Sequence, residues 1–146
     1  MKFIDGCIYD TVGFTCSCFD LLHAGHIIML QYAKFICDKL IVGLQIDPTI
    51  DRPEKNKPIQ SLEERKIQLE AVKYVDKIFT YDTEKDLYKK LLDIKPDVRI
   101  LGSDYIGKPF TGDTLNINIY YHDRNHNYSS TNLRKKIYEE ECKKII

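Results

Sequence analysis

A short run rich in β-formers, Val12 to Cys18, meets a long apolar run, Ile27 to Cys37, across the segment Phe19-Asp20-Leu21-Leu22-His23-Ala24-Gly25-His26. The first run has the length of a buried strand and the second that of a buried helix. A strand that turns tightly into a helix is the unit from which α/β layers are built. Only Gln31, Lys34 and Asp38 break the helical run, so it is expected to be packed on most sides with one narrow polar stripe.

Such a turn aims the helix's first N–H groups, and the positive end of its dipole, at whatever occupies it, which favours an anion. His23 and His26 are three residues apart, so with a helix start near Ala24 both rings face the same side of its N-terminus. Gly25 between them leaves the backbone open to close approach. Two histidines at a helix start also serve as a cap and a half-buried packing residue. Their coincidence with the strand, Phe19-Asp20 and the buried helix favours a phosphate site.

The same alternation continues along the chain. Lys39 to Gln45 reads as a second buried strand, followed by a polar, proline-bearing loop to Pro58 that is long enough to move over a site. Ser61-Leu62-Glu63-Glu64 is a capping box opening a helix to about Tyr74. A strand follows over residues 76 to 80, then a helix capped by Thr83 with Asp86 and carrying Leu87, Tyr88, Leu91 and Leu92 on one face. Val98 to Leu101 and Asn116 to Tyr121 are further strands, and a last helix starts after Ser130 with Leu133, Ile137 and Tyr138 on one face. Residues 1 to 11 read as an arm or edge strand, with a role in oligomer contact left open. The expectation is one α/β domain over residues 1 to 146, Rossmann-like and doubly wound, with a mostly parallel five-stranded sheet and helices on both faces.

Ligands bind such sheets at the carboxyl ends of the strands, where the strand order reverses. This rule gathers His23 and His26, Asp47 with the lysine loop, Gly102-Ser103-Asp104, and Arg124 to Thr131 at one crevice. In the last of these, Ser129, Ser130 and Thr131 offer hydroxyl and backbone donors at a helix start, and Arg124 adds a cationic fork suited to phosphate oxygens. Two anion-binding turns at one sheet edge would clamp a triphosphate.

Composition sets outer bounds. Lys plus Arg and Asp plus Glu are 22 each, so no net field concentrates polyanions, and a general nucleic-acid binder is not expected. No run approaches a membrane span and no signal-peptide core follows Met1, so a cytoplasmic protein is expected. Five cysteines, an odd number without scaffold density, fit free thiols, and the Cys16-x-Cys18 spacing is too close for a usual zinc pair.

Ser17 to His26 resembles the Gly-x-Phe-Asp-x-x-His-x-Gly-His signature of the cytidylyltransferase-like nucleotidyltransferases, with Ser17 in the place of Gly. Arg124 to Thr131 is similar to their Arg-Thr-x-x-x-Ser-Thr-Thr motif, with Asn125 in the place of Thr. Glu64-Arg65 and Tyr74-Val75-Asp76 also match family segments. The resemblance implies that His23 and His26 donate to the α-phosphate, that Lys55 reaches it from the mobile loop with Lys57 nearby, and that Arg124, Ser129 and Ser130 hold the β- and γ-phosphates. Cys18, Phe19, Gly25, Asp104, Asn125 and Thr131 complete the expected nucleotide-binding set, and Asp20, Lys57 and Lys73 the expected acceptor-binding set. It further implies magnesium carried with the nucleotide, a homodimer, and transfer of CMP from CTP to a small phosphorylated alcohol, with glycerol 3-phosphate first. Two alternatives stay open. Cys18-Phe19-Asp20, Ser61 to Arg65 and Lys95-Pro96-Asp97 are similar to the heptose-phosphate adenylyltransferases, and the departures at Ser17 and Asn125 suit a non-catalytic nucleotide-binding regulator.

Overall fold

The computed structural model describes residues 2–145. The chain opens with β1 (Lys2–Ile4) and β2 (Cys7–Tyr9), which pair antiparallel through an Asp5-Gly6 turn in which both residues have positive φ. This is the turn chemistry of a tight hairpin. The arm is therefore not an edge strand of the main sheet: it folds on itself as a separate hairpin. The Asp5 carboxylate fastens it, accepting from Lys39 and Lys77 at 3.1 Å each.

The main sheet holds β3 (Val12–Ser17), β4 (Lys39–Gln45), β5 (Lys77–Tyr81), β6 (Val98–Gly102) and β7 (Asn118–His122). Their order is β5-β4-β3-β6-β7, and every pairing is parallel. Parallel strands need crossovers, supplied by α1 (Ala24–Phe35), α2 (Leu62–Glu70) and α3 (Glu84–Ile94), with α4 (Ser130–Cys142) following the last strand. One core gathers Phe19, Leu30, Ala33, Leu40, Val42, Leu44 and Leu69 on the α1 and α2 side; the other gathers Val12, Phe14, Ile41, Tyr81, Leu87 and Leu91 on the α3 side. Each fully buried large apolar side chain contributes about 1.5–3 kcal/mol.

At the amino edge of the sheet, aspartates that precede strands hold neighbouring strand starts. Asp97 accepts from Val12 N at 2.8 Å and Asp76 from Leu40 N at 2.7 Å. The carboxyl edge is left for the site, and the order reverses there between β3 and β6.

Three expectations are corrected. Helix α1 buries only Gly25, Leu30 and Ala33, and leaves Phe35 at 87% exposure, because its apolar residues encircle the helix while the sheet covers one side. Helix α2 stops at Glu70 rather than Tyr74, since Val72 N and Val75 N turn back to carbonyls three residues earlier. Helix α4 buries no residue, and Ile137 and Tyr138 stand exposed. Among the described residues no helix is long and apolar enough to cross a membrane.

Candidate active site

A cavity of about 630 Å³ opens at the carboxyl edge of the sheet. All four histidines of the chain, His23, His26, His122 and His126, line it. His23 is the N-cap of α1, so the cap reading of this residue holds. Its Nδ1 accepts from Gly25 N at 3.1 Å, and its own backbone N–H donates to His26 Nδ1 at 3.2 Å. An imidazole that accepts at Nδ1 while neutral carries its proton on Nε2. Both rings are thereby locked in the Nε2–H form, stacked with centroids 3.8 Å apart, and Phe19 packs against His26 from 5.2 Å.

Burial is the main reason that both rings resist protonation. It pushes His26 down to about 3, with His23 and Arg124 adding repulsion, and lowers His23, where Arg124 and His126 add to it. At neutral pH the pair presents two uncharged N–H donors. His23 Nε2 stands 3.2 Å from Ser130 Oγ, which also donates to Asp20 O at 3.3 Å. The start of α4 is thus joined to the start of α1, and the two anion-binding turns expected from the sequence form one surface.

Cys18, Phe19, Asp20, His23, Gly25, His26, Lys55, Asp104, Arg124, Ser129, Ser130 and Thr131 all line this cavity. Gly25 is required by packing: a Cβ there would lie 2.9 Å from the His23 ring and 3.0 Å from Tyr128 O. Ser129 caps α4 by accepting from Asn132 N at 3.0 Å.

Lys57, Lys73 and Asn125 do not line the cavity. Lys73 follows α2 and lies over the ring of Tyr74 at 5.2 Å. Asn125 is exposed in the segment between β7 and α4. The Asp20 carboxylate, expected to meet an acceptor, accepts from Ile59 N at 2.9 Å and Gln60 N at 3.0 Å, with Arg134 at 3.8 Å. It anchors the far end of the lysine loop.

Sequence reasoning gave no role to Arg65, which is 2% exposed and donates to the carbonyls of Cys18, Gln45, Ile46 and Gln60. It binds the ends of β3 and β4 to the start of α2. It also missed His126, whose Nδ1 accepts from Tyr128 N at 3.1 Å and which therefore carries a third Nε2–H. Its position inside the Arg124 to Thr131 segment was the available signal. Arg99, a cation in an otherwise apolar strand, also escaped notice.

The family model for cytidylyltransferase-like proteins matches residues 14–136, which takes in both turns and the loop between them. The chain belongs to the cytidylyltransferase-like family. Within that family it is 39% identical to the bifunctional protein HldE of Campylobacter fetus over 130 residues, 87% of this chain and 28% of that protein. The chain thus spans roughly a quarter of the length of the curated relatives it matches. Among solved structures it is similar to a lipopolysaccharide core biosynthesis protein from Thermoplasma volcanium, with a TM-score of 0.62 and 28% identity over 82% of this chain and 98% of that one. Pantothenate synthetase from Thermus thermophilus shares the fold, with a TM-score of 0.57 and 16% identity over 87% of this chain and 64% of that one.

Proposed function

We propose that this cytidylyltransferase-like chain transfers AMP from ATP to a sugar phosphate, a heptose phosphate first among acceptors, and releases pyrophosphate. The observation that carries nucleotidyl transfer is the pair of neutral Nε2–H imidazoles, His23 and His26, held beside Ser130 at the point where the strand order reverses. The HldE relatives and the lipopolysaccharide core biosynthesis structure support the adenylyl branch, together with Cys18-Phe19-Asp20 and Lys95-Pro96-Asp97. They favour it over transfer of CMP to glycerol 3-phosphate.

An oxygen of the acceptor phosphate forms a bond to the α-phosphorus, the bond from that phosphorus to its bridging oxygen breaks, and pyrophosphate leaves with the electron pair. His23 and His26 donate to the oxygens on which charge builds, Arg124, Ser129, Ser130 and Thr131 receive the departing phosphates, and Lys55 approaches from its loop. Among the described residues no group of three His, Cys, Asp or Glu side chains is placed to hold a metal ion. A magnesium ion arriving with the nucleotide fits a site where phosphate oxygens and water supply most of its ligands, and it would neutralise their charge.

The test is pyrophosphate release with ATP or CTP and a panel of heptose 1-phosphate, glycerol 3-phosphate, phosphocholine and phosphoethanolamine. Turnover with ATP and the heptose phosphate is expected. Turnover only with CTP and glycerol 3-phosphate would move the chain to the cytidylyl branch, and nucleotide binding with no turnover would make it a binding protein.

A further inference from the structure

Arg99 is 3% exposed, lines the cavity, and makes no ion pair among the described residues. Its guanidinium lies 5.6 Å from the Phe14 ring centroid and 5.1 Å from that of Phe110. Nη1 donates to the carbonyl of Thr111, Nη2 reaches Cys16 Sγ at 3.7 Å, and Nε has no partner. A buried charge is retained at a cost unless an anion meets it. The carboxylate in the same network is already engaged, since Glu84 accepts from Arg52 at 2.8 Å and from Thr111 Oγ1 at 2.7 Å. Gln45, 5% exposed in the same wall, has a buried amide Nε2 that is also without a partner.

The position of Arg99 gives the ligand a role. The histidine pair packs with Phe19 in the α1-side core, next to the start of α4. Arg99 packs on Phe14, in the α3-side core. In-line displacement needs the nucleophile opposite the leaving group. With pyrophosphate leaving toward Arg124 and Ser130, the nucleophile enters from the side of Arg99.

We propose that Arg99 binds the phosphate of the acceptor, a phosphomonoester dianion, and holds its free oxygen toward the α-phosphorus. This rests on the nucleotidyl-transfer reading. A guanidinium fork oriented between two rings suits two phosphate oxygens at once and leaves the third to attack.

The experiment compares wild type with Arg99→Gln, Arg99→Lys and Cys16→Asp. The last leaves Arg99 in place and sets a carboxylate beside Nη2, so it decides the matter if Arg99→Gln does not fold. Arg99→Gln and Cys16→Asp are expected to raise the acceptor KM by roughly tenfold to a hundredfold with the nucleotide KM unchanged, and Arg99→Lys to recover part of the loss. An acceptor KM within about twofold of wild type, or equal losses for both substrates, would overturn the assignment. Calorimetric titration of inorganic phosphate into protein saturated with a non-hydrolysable nucleotide needs no turnover. Binding to wild type that is lost in Arg99→Gln supports the site even if no acceptor reacts, which would overturn the transfer reading alone; no binding to wild type would overturn the site.

Discussion

His23 Nε2 and Ser130 Oγ stand 3.2 Å apart although 107 positions separate them. Because α4 buries no side chain, contacts at its first turn, this one and Ser130 Oγ to Asp20 O, set where its N-terminal donors face. The same contact fixes the direction of the His23 N–H. Sheet topology brings the two turns to one edge, and this hydrogen bond sets their registry.

Removing either imidazole removes a donor oriented before the substrate arrives. His23→Ala and His26→Ala are each expected to lower kcat about 100- to 1000-fold, with a smaller change in nucleotide KM. Steady-state pyrophosphate release measures this, and wild-type turnover in either variant would refute the roles assigned here.

The depressed proton affinity of His26 makes a separate, signed prediction for stability. Above pH 6.5 the ring is neutral in both the folded and unfolded chain, and its contribution is fully present. Between 6.5 and about 3 the unfolded chain binds a proton that the folded chain excludes, so stability falls with pH. Urea unfolding near the top and middle of that window should show a smaller loss for His26→Gln than for wild type. Equal losses would show that the ring is not held neutral by the fold.

How much of this was legible in the sequence follows from where each partner lies. His23, Gly25, His26 and Ser129 to Thr131 sit in strand-to-helix turns whose geometry is local, and the alternation of elements dictated the parallel sheet. Arg65 and Arg99 were illegible because their partners are carbonyls and rings from distant segments, such as Gln45 O for one and Phe110 for the other. Apolar patterning marked α1 as a helix but could not tell which apolar residues the sheet would leave bare, as Phe35 shows. The resemblance of Arg124 to Thr131 to the family motif describes how phosphates are held, so it does not by itself choose a base or an acceptor.

At Gly25 the sequence motif has a steric cause that a conservative substitution exposes. A methyl group there would meet the Tyr128 carbonyl at 3.0 Å, and backbone cannot yield as a side-chain tip would. Gly25→Ala is expected to push the segment before α4 away from α1, costing about 1–3 kcal/mol of stability and at least roughly tenfold in kcat/KM. Urea unfolding and steady-state kinetics on the same preparation would check it. Unchanged kinetics would mean that the two turns need not touch.

Arg65 tests whether the site depends on a buried guanidinium that is held by carbonyls and makes no ion pair among the described residues. Its guanidinium is surrounded by oxygen dipoles: Gln45 O at 2.6 Å, Ile46 O at 2.7 Å, Cys18 O at 3.0 Å and Gln60 O at 3.2 Å. Those carbonyls belong to the ends of β3 and β4 and to the residue before the α2 cap. Arg65→Ala strands several buried acceptors at once, so a loss of about 3 kcal/mol or more is expected in urea unfolding. Arg65→Lys should recover little of it, because one ammonium cannot reach carbonyls on three segments as a planar fork does. If Arg65→Lys matched wild type in stability and turnover, the arginine would be acting as a charge alone and not as the clasp that holds the strand ends beneath the cavity.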